Sequence, residues 1–226
     1  MKNKKIICIN ACFSDNIGDQ AISISLHELL IKMHYKVDTY DITRIVNKKN
    51  MHIGCNEYVH SEPRPLLVNI IQYCQRLLKL IFVSSKRYDI AIFGGGQLIL
   101  NNRMFPLAIL IWSLFLRLFN TKIYFIGCGV GENFSSLNKF LYNVAFKFTK
   151  QFFLRDDRSI DNLYRIFGKK SLFIPDLAFA LEFPKPESQK KKEIVLVSII
   201  DYKIHVLYSN EMKIEVLSYD DLFFAT

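Results

Sequence analysis

An α/β domain built on a doubly wound parallel sheet is the fold this sequence predicts, on three observations. Short apolar runs rich in β-branched and aromatic residues recur along the chain and alternate with longer stretches of helical periodicity. Each run ends in a polar or glycine-rich turn, the place where open α/β sheets form their ligand crevice. Half of the 226 residues are hydrophobic and 19 are Phe, which excludes disorder for most of the chain and suits strands covered on both faces. Together these describe a Rossmann-like sheet.

The elements follow in order. Ile6 to Asn10 form the first strand; the apolar segment after Met1-Lys2-Asn3-Lys4-Lys5 is too short for a signal peptide. The turn from Ala11 to Gln20 leads into a helix beginning near Ala21, with Ile22, Leu26, Leu29, Leu30 and Met33 on its apolar face. Tyr35 to Ile42 alternate as a second strand, completing a βαβ unit. A polar loop over 43–64 precedes a basic amphipathic helix from Leu66 to Ile81, carrying Arg76 and Lys79 and followed by Lys86. Such a helix either packs on the sheet with a solvated cationic face or lies on a membrane. Ile90 to Phe93 form the central strand, broken by Gly94-Gly95-Gly96, where the missing Cβ atoms let a ligand or a second backbone approach.

Pro106 to Phe119 form the next helix; its apolar run is interrupted at Arg117, short of the ~20 residues that span a bilayer. Lys122 to Ile126 are a strand ending in Gly127-Cys128-Gly129-Val130-Gly131. Then come a helix from Leu137 to Phe148, a strand from Gln151 to Leu154, the loop Arg155 to Ser159, and a helix from Ile160 to Phe167 stopped by Gly168. Ser171 to Ile174 form the last strand of the first domain, residues 1–183. Residues 184–192, with two prolines and a Lys run, read as a linker, and 193–226 as the start of a second domain too short to fold on the same plan.

Lys and Arg outnumber Asp and Glu by 30 to 21, a net charge of +9 that points to anionic partners: phosphates, nucleic acid or an acidic membrane surface. Five cysteines without CxxC spacing indicate reduced cytosolic thiols rather than a disulfide framework or a zinc site, and the five histidines show no metal-binding spacing. Residues 127–131 lack the spacing and the later acid of a dinucleotide fingerprint, so NAD is disfavoured. Asn16 and Asp19 flank Gly18 at a helix start, where Asp19 is expected to cap the helix and Asn16 to make an Asx turn beside exposed amides able to hold an anion. Arg155 follows an apolar strand and is placed either to clamp a carboxylate or phosphate, or to pair with Asp156 or Asp157.

The ordered motifs Asp15 to Ala21, Phe93 to Leu98, Ile126 to Gly131, Arg155 to Ser159 with Leu163 and Gly168, and Pro175 to Phe179 resemble the polysaccharide pyruvyl transferase family over roughly residues 6 to 180. The resemblance implies two facing Rossmann-like domains of GT-B type and transfer of the pyruvyl group of phosphoenolpyruvate onto sugar hydroxyls as a ketal, without a metal or other cofactor. It implies substrate-binding positions at Asn16, Gly18, Asp19, Gly94, Gly95, Gly96, Gly129, Arg155, Ser159 and Asp176. The expected partners are phosphoenolpyruvate, a sugar or lipid-linked glycan acceptor and peripheral contact with an anionic membrane, not nucleic acid. The expected setting is the cytoplasm, at the inner face of the membrane, in surface polysaccharide biosynthesis. Glu132 stands where the family commonly has proline, the pattern is expected to fade after Ile200, and Lys203-Ile204-His205 does not match the family's Arg-x-His motif. The chain is therefore expected to be truncated in the second domain and inactive, its general acid unidentified. Two alternatives stay open: a sugar- or phosphate-binding fragment without turnover, and a glycosyltransferase using a nucleotide sugar.

Overall fold

The computed structural model describes residues 4–14, 16–43, 75, 77–102 and 104–181. They form β1 (Lys5–Asn10), α1 (Ile17–Lys32), β2 (Lys36–Asp41), α2 (77–84), β3 (Ile90–Gly94), α3 (Phe105–Leu118), β4 (Lys122–Cys128), α4 (Ser136–Phe146), β5 (Thr149–Leu154), α5 (Asp157–Phe167), β6 (Leu172–Phe173) and a 3-10 turn (Leu177–Ala180). The six strands are parallel and ordered β2-β1-β3-β4-β5-β6, the doubly wound Rossmann-like arrangement. The predicted loop over 44–64, the helix residues 66–74 and 76, the linker and the second domain lie outside the described residues.

Period-two alternation sorts side chains to the two faces of the sheet. Ile6, Cys8 and Ile92 meet Ile22, Leu26 and Leu30 of α1, together with Leu177. Ile7, Ile9, Ala91, Phe93, Ile123, Phe125 and Phe152 face the other way, into the core covered by α2 to α5. On that face the register puts Phe93 beside Phe125 and Phe125 beside Phe152. Their rings stack across three strands at 4.8 and 5.2 Å. Phe146 of α4 closes edge-on at 5.5 and 4.9 Å, and Phe167 of α5 meets Phe146 at 5.2 Å. Each such pair contributes about 0.5–1.5 kcal/mol beyond its burial, which is what the many Phe are for. The apolar run predicted to be a buried helix is α3, with Ile109, Trp112 and Leu116 in the core.

Three sequence expectations are corrected. α1 begins at Ile17, one turn before Ala21, because Asn16 and not Asp19 caps it: Asn16 Oδ1 accepts from the Gly18 amide at 2.8 Å. Residues Asp157 to Ser159 are helix rather than loop, since Asp156 is the N-cap and accepts from the Ser159 amide at 2.7 Å. Leu29 and Met33 lie on the exposed side of α1, whose buried face is completed instead by Gln20, Ser23 and Ser25. Gly168 terminates α5 in the left-handed region, as its position suggested.

All strands point the same way, so the sheet has an amino end and a carboxyl end of different charge. At the amino end each helix-to-strand junction carries a pair of cations: Lys32 and Lys36 at the entry to β2, Lys86 and Arg87 ahead of β3, Arg117 and Lys122 at the entry to β4, Lys147 and Lys150 at the entry to β5, Lys169 and Lys170 ahead of β6. Asp38 and Asp89 are acids beside them. At the carboxyl end the described turns hold Asp19, Asp41, Glu132, Asp156, Asp157 and Asp176 against Arg155 and Arg158.

Candidate functional site

The strand order reverses between β1 and β3, and connections leaving such a pair on opposite sides open a crevice at their carboxyl ends. The turn after β1 and Gly94–Gly96 after β3 meet there. Gly94, Gly95 and Gly96 are buried, and α1 is laid against them: a Cβ on Gly94 would fall 2.4 Å from Leu26 Cδ2, one on Gly95 1.7 Å from Ile22 Cγ2, and one on Gly96 2.7 Å from Asp19 Oδ1. Asp19, Ile22 and Leu26 share one face of α1 by helical spacing. The space that the glycines leave open is thus filled by α1 at Gly94 and Gly95, and at Gly96 it brings a carboxylate to the crevice.

The turns after β3 and β4 are laced together. The Gly129 amide donates to the Gly96 carbonyl at 2.8 Å, the Gly131 amide donates to the Ile99 carbonyl at 2.9 Å, and Ile99 and Val130 form a parallel bridge. β4 shifts register between Ile126 and Cys128, where Gly127 adopts a φ of +67° with Leu177 packed over it. This local irregularity sets the direction in which Gly129 leaves the sheet.

Arg155 enters from the end of β5 and lies across Gly129, its Nη2 and Nε 3.2 and 3.3 Å from where a Cβ would stand. Its Nη1 donates to Asp176 Oδ2 at 2.9 Å, and Nε is 3.5 Å from Asp156 Oδ2. The guanidinium side chain is 25% exposed, so it is held in place while one side remains open to water. Asp176 is fixed in turn, its Oδ1 accepting from the Ala178 amide at 3.0 Å. Asp19, Gly96, Gly129, Arg155 and Asp176 therefore form one row of neighbours along the carboxyl end of the sheet.

Other positions brace this row. Ser159 is buried and its Oγ accepts from the Val130 amide at 2.9 Å, while Asn162 Nδ2 donates to the Val130 carbonyl at 3.1 Å. Ser159 thus faces inward and holds the β4 turn instead of lining the crevice. Burial pushes the Cys128 thiol up to about 12, the nearby Arg155 charge offsetting only part of the effect. Cys128 is accordingly a neutral thiol donating to the Phe93 carbonyl, not a nucleophile. Arg158 Nε donates to Glu132 Oε1 at 3.0 Å, which holds the Glu132 carboxyl below the usual range. Among the described residues no group of three or more His, Cys, Asp or Glu side chains is arranged to hold a metal ion.

Two residues of the crevice escaped the sequence reading. Asn10 ends β1 fully buried; its Oδ1 accepts from Ser23 Oγ at 3.2 Å and its Nδ2 has no hydrogen-bond partner among the described residues. An amide closing an otherwise apolar strand was the available signal. Gln97 is exposed beside Gly129, its Cγ 3.0 Å from the missing Cβ. It belongs to the Phe93 to Leu98 motif, but nothing in its local sequence marks it as part of the site.

A family model described as polysaccharide pyruvyl transferase matches residues 16–222. The match continues past Ile200, correcting the expectation that the family pattern fades there. In structure the chain is similar to Anabaena Alr3699/HepE, solved in complex with UDP, at a TM-score of 0.43 and 12% identity. The alignment covers 76% of this chain and 44% of that one, so this chain spans less than half the length of that protein. No curated protein matches the sequence.

Proposed function

Because the chain belongs to the polysaccharide pyruvyl transferase family, we propose that its carboxyl-end crevice takes part in moving a pyruvyl group from phosphoenolpyruvate onto two hydroxyls of a sugar as a ketal. The observation that carries this reading is Arg155, an open-sided guanidinium fixed over Gly129 at a crevice whose other charged side chains are the carboxylates Asp19, Asp156 and Asp176. It supplies the charge that holds the donor carboxylate or phosphate, and the amino end of α1 adds the partial positive charge of its amides. Protonation of the donor's methylene carbon makes C2 oxocarbenium-like. One sugar hydroxyl adds to C2 and loses its proton, phosphate leaves, and the second hydroxyl adds and loses its proton to close the ketal. Positioned acid–base groups contribute about 10²–10⁴-fold to such steps. The acceptor in this reading is a sugar on a glycan or lipid carrier, and an anionic membrane is the further partner.

The test offers the chain labelled phosphoenolpyruvate with glycan acceptors, and nucleotide sugars in parallel, reading ketal formation by NMR and phosphate release. Ketal formation that depends on phosphoenolpyruvate supports the reading; glycosyl transfer from a nucleotide sugar replaces it. Arg155→Ala is expected to weaken phosphoenolpyruvate binding by roughly 10- to 100-fold, the range of a hydrogen bond to a charged group. The same change costs only about 0–1 kcal/mol of stability, because the ion pairs it breaks are partly exposed. Unaltered donor affinity would remove Arg155 from the site.

A further inference from the structure

We propose that the amino end of the sheet, opposite the crevice, is a membrane-contacting face that seats anionic lipid headgroups. A pocket of about 650 Å³ opens there between the starts of β3 and β4, with three cations, Lys4, Arg87 and Lys122, against one acid, Asp89, in its lining, beside Leu118 and Asn120. Among the described residues these three cations make no ion pair, whereas neighbouring Lys5 and Lys86 are engaged with Asp38 and with the Tyr40 hydroxyl. The pocket sits within the cationic ring formed by the helix-to-strand junctions. Cations at helix carboxyl ends are favoured by the helix dipole. That effect acts within the last turn of a helix, and it does not account for Lys36, Lys122 and Lys150, which stand in the first two residues of β2, β4 and β5.

The second observation is apolar. Leu78 and Phe82 of α2 are 66% and 68% exposed, and Leu118, the last residue of α3, is 76% exposed. α2 and α3 pack on the same face of the sheet and precede the neighbouring strands β3 and β4. Their carboxyl ends therefore lie at the same end of the domain, next to the pocket that Leu118 itself lines. Single exposed apolar residues are ordinary. Large ones standing beside a cationic surface are the pattern of interfacial binding, in which Lys and Arg meet lipid phosphates while Phe and Leu enter the headgroup boundary. A soluble polyanion such as nucleic acid would satisfy the cations and leave Phe82 and Leu118 in water. No helix among the described residues is long and apolar enough to cross a membrane, and the contact proposed for this face is a peripheral one. With strands of this length the crevice then stands ~20 Å above the lipid surface. An acceptor anchored in the same bilayer reaches it only through an extended glycan.

This assignment locates the membrane contact of the pyruvyl-transfer reading, and its test is independent of turnover: flotation of the whole 226-residue chain with vesicles. Partition onto phosphatidylglycerol–phosphatidylcholine vesicles that fades with salt, and is absent on pure phosphatidylcholine, is expected. Removing Lys122 as Lys122→Thr should lower partition about fivefold, and combining it with Lys4→Ser and Arg87→Asn about a hundredfold. Asn is chosen at 87 because it tolerates the positive φ of Arg87. Lys139→Ser in the first turns of α4, at the opposite end, removes the same charge and should leave partition unchanged. Phe82→Ser with Leu118→Ser should reduce partition even at low salt, with thermal melts confirming that each variant folds. Equal binding to neutral vesicles, no flotation, or an equal loss from Lys139→Ser would overturn the assignment. So would tight binding of inorganic phosphate by a chain that does not float.

Discussion

The two ends of the sheet are made from the same strands, yet they are built on opposite principles. At the carboxyl end the turns after β3, β4, β5 and β6 are committed: Gly94 and Gly95 are packed under α1, Gly129 lies under Arg155, Ser159 and Asn162 bind both polar groups of Val130, and Asp156 and Asp176 cap α5 and the 3-10 turn. At the amino end the junctions are exposed, and Lys4, Arg87 and Lys122 line an open pocket. Part of this polarity belongs to the fold. Helices of a parallel α/β sheet start at the carboxyl end, where acids cap them, and finish at the amino end, where bases do. In the proposed reading, anion recognition at the crevice works against a local excess of carboxylates and depends on a single oriented guanidinium. The anion recognition proposed at the amino end works by accumulation. The first should be lost by one substitution and depend on geometry; the second should decline charge by charge and depend on salt.

The sharpest way to break the contrast is to add one methyl group at a committed turn and one at an open turn. Gly95→Ala places a Cβ 1.7 Å from Ile22 in a residue with φ +70°. Left-handed strain of roughly 1–2 kcal/mol and overpacking of about 1–3 kcal/mol add, so denaturant unfolding should show a loss of about 2–5 kcal/mol. Next in size is Ser159→Ala. It leaves the buried Val130 amide without its acceptor and should cost about 1–3 kcal/mol, with hydrogen exchange accelerating at Val130. Gly168→Ala, after α5, has the same sign of φ but nothing within 4 Å of the new Cβ. Only the backbone strain remains, about 1–2 kcal/mol. If Gly95→Ala proves no worse than Gly168→Ala, the carboxyl-end turns are looser than their packing indicates and the contrast fails.

The same contrast explains what was legible in the sequence. Strand cores such as Ile90 to Phe93 and caps such as Gly168 are specified locally, by apolar runs and by one glycine, and the structure has them where the sequence placed them. Placing all the motif turns at one end of the sheet follows from parallel strands, which is a fold-level inference from the same runs. The roles within the turns were not legible. Gly94–Gly96 read as room for a ligand or a second backbone, but which atoms fill that room depends on where α1 crosses, and this is a long-range fact. Ser159 was a site residue by the family resemblance, as part of the Arg155 to Ser159 motif. One turn of helix starting at Asp157 rotates it inward to Val130. Arg155 was expected either to clamp a carboxylate or phosphate or to pair with Asp156 or Asp157, next to it in the chain. It found Asp156, and more closely Asp176, which comes from the end of β6 and is brought near only by the strand order.

Asp176 gives the smallest effect and the one that bears most directly on the crevice. Its Oδ2 takes the Arg155 Nη1 hydrogen bond, and its negative charge lies where an incoming carboxylate or phosphate would interact with the same guanidinium. Asp176→Asn keeps an oxygen able to accept from the Ala178 amide, so the 3-10 turn retains its cap, but one unit of repulsion is removed. Two like charges about 5 Å apart near water interact by roughly 1 kcal/mol. The variant should therefore bind phosphoenolpyruvate about fivefold more tightly by titration calorimetry, with the difference shrinking as salt is raised. Weaker binding would mean that Asp176 acts by holding Arg155 in position over Gly129. The crevice would then owe its anion recognition to the braced geometry of the carboxyl end rather than to the charge balance around one side chain.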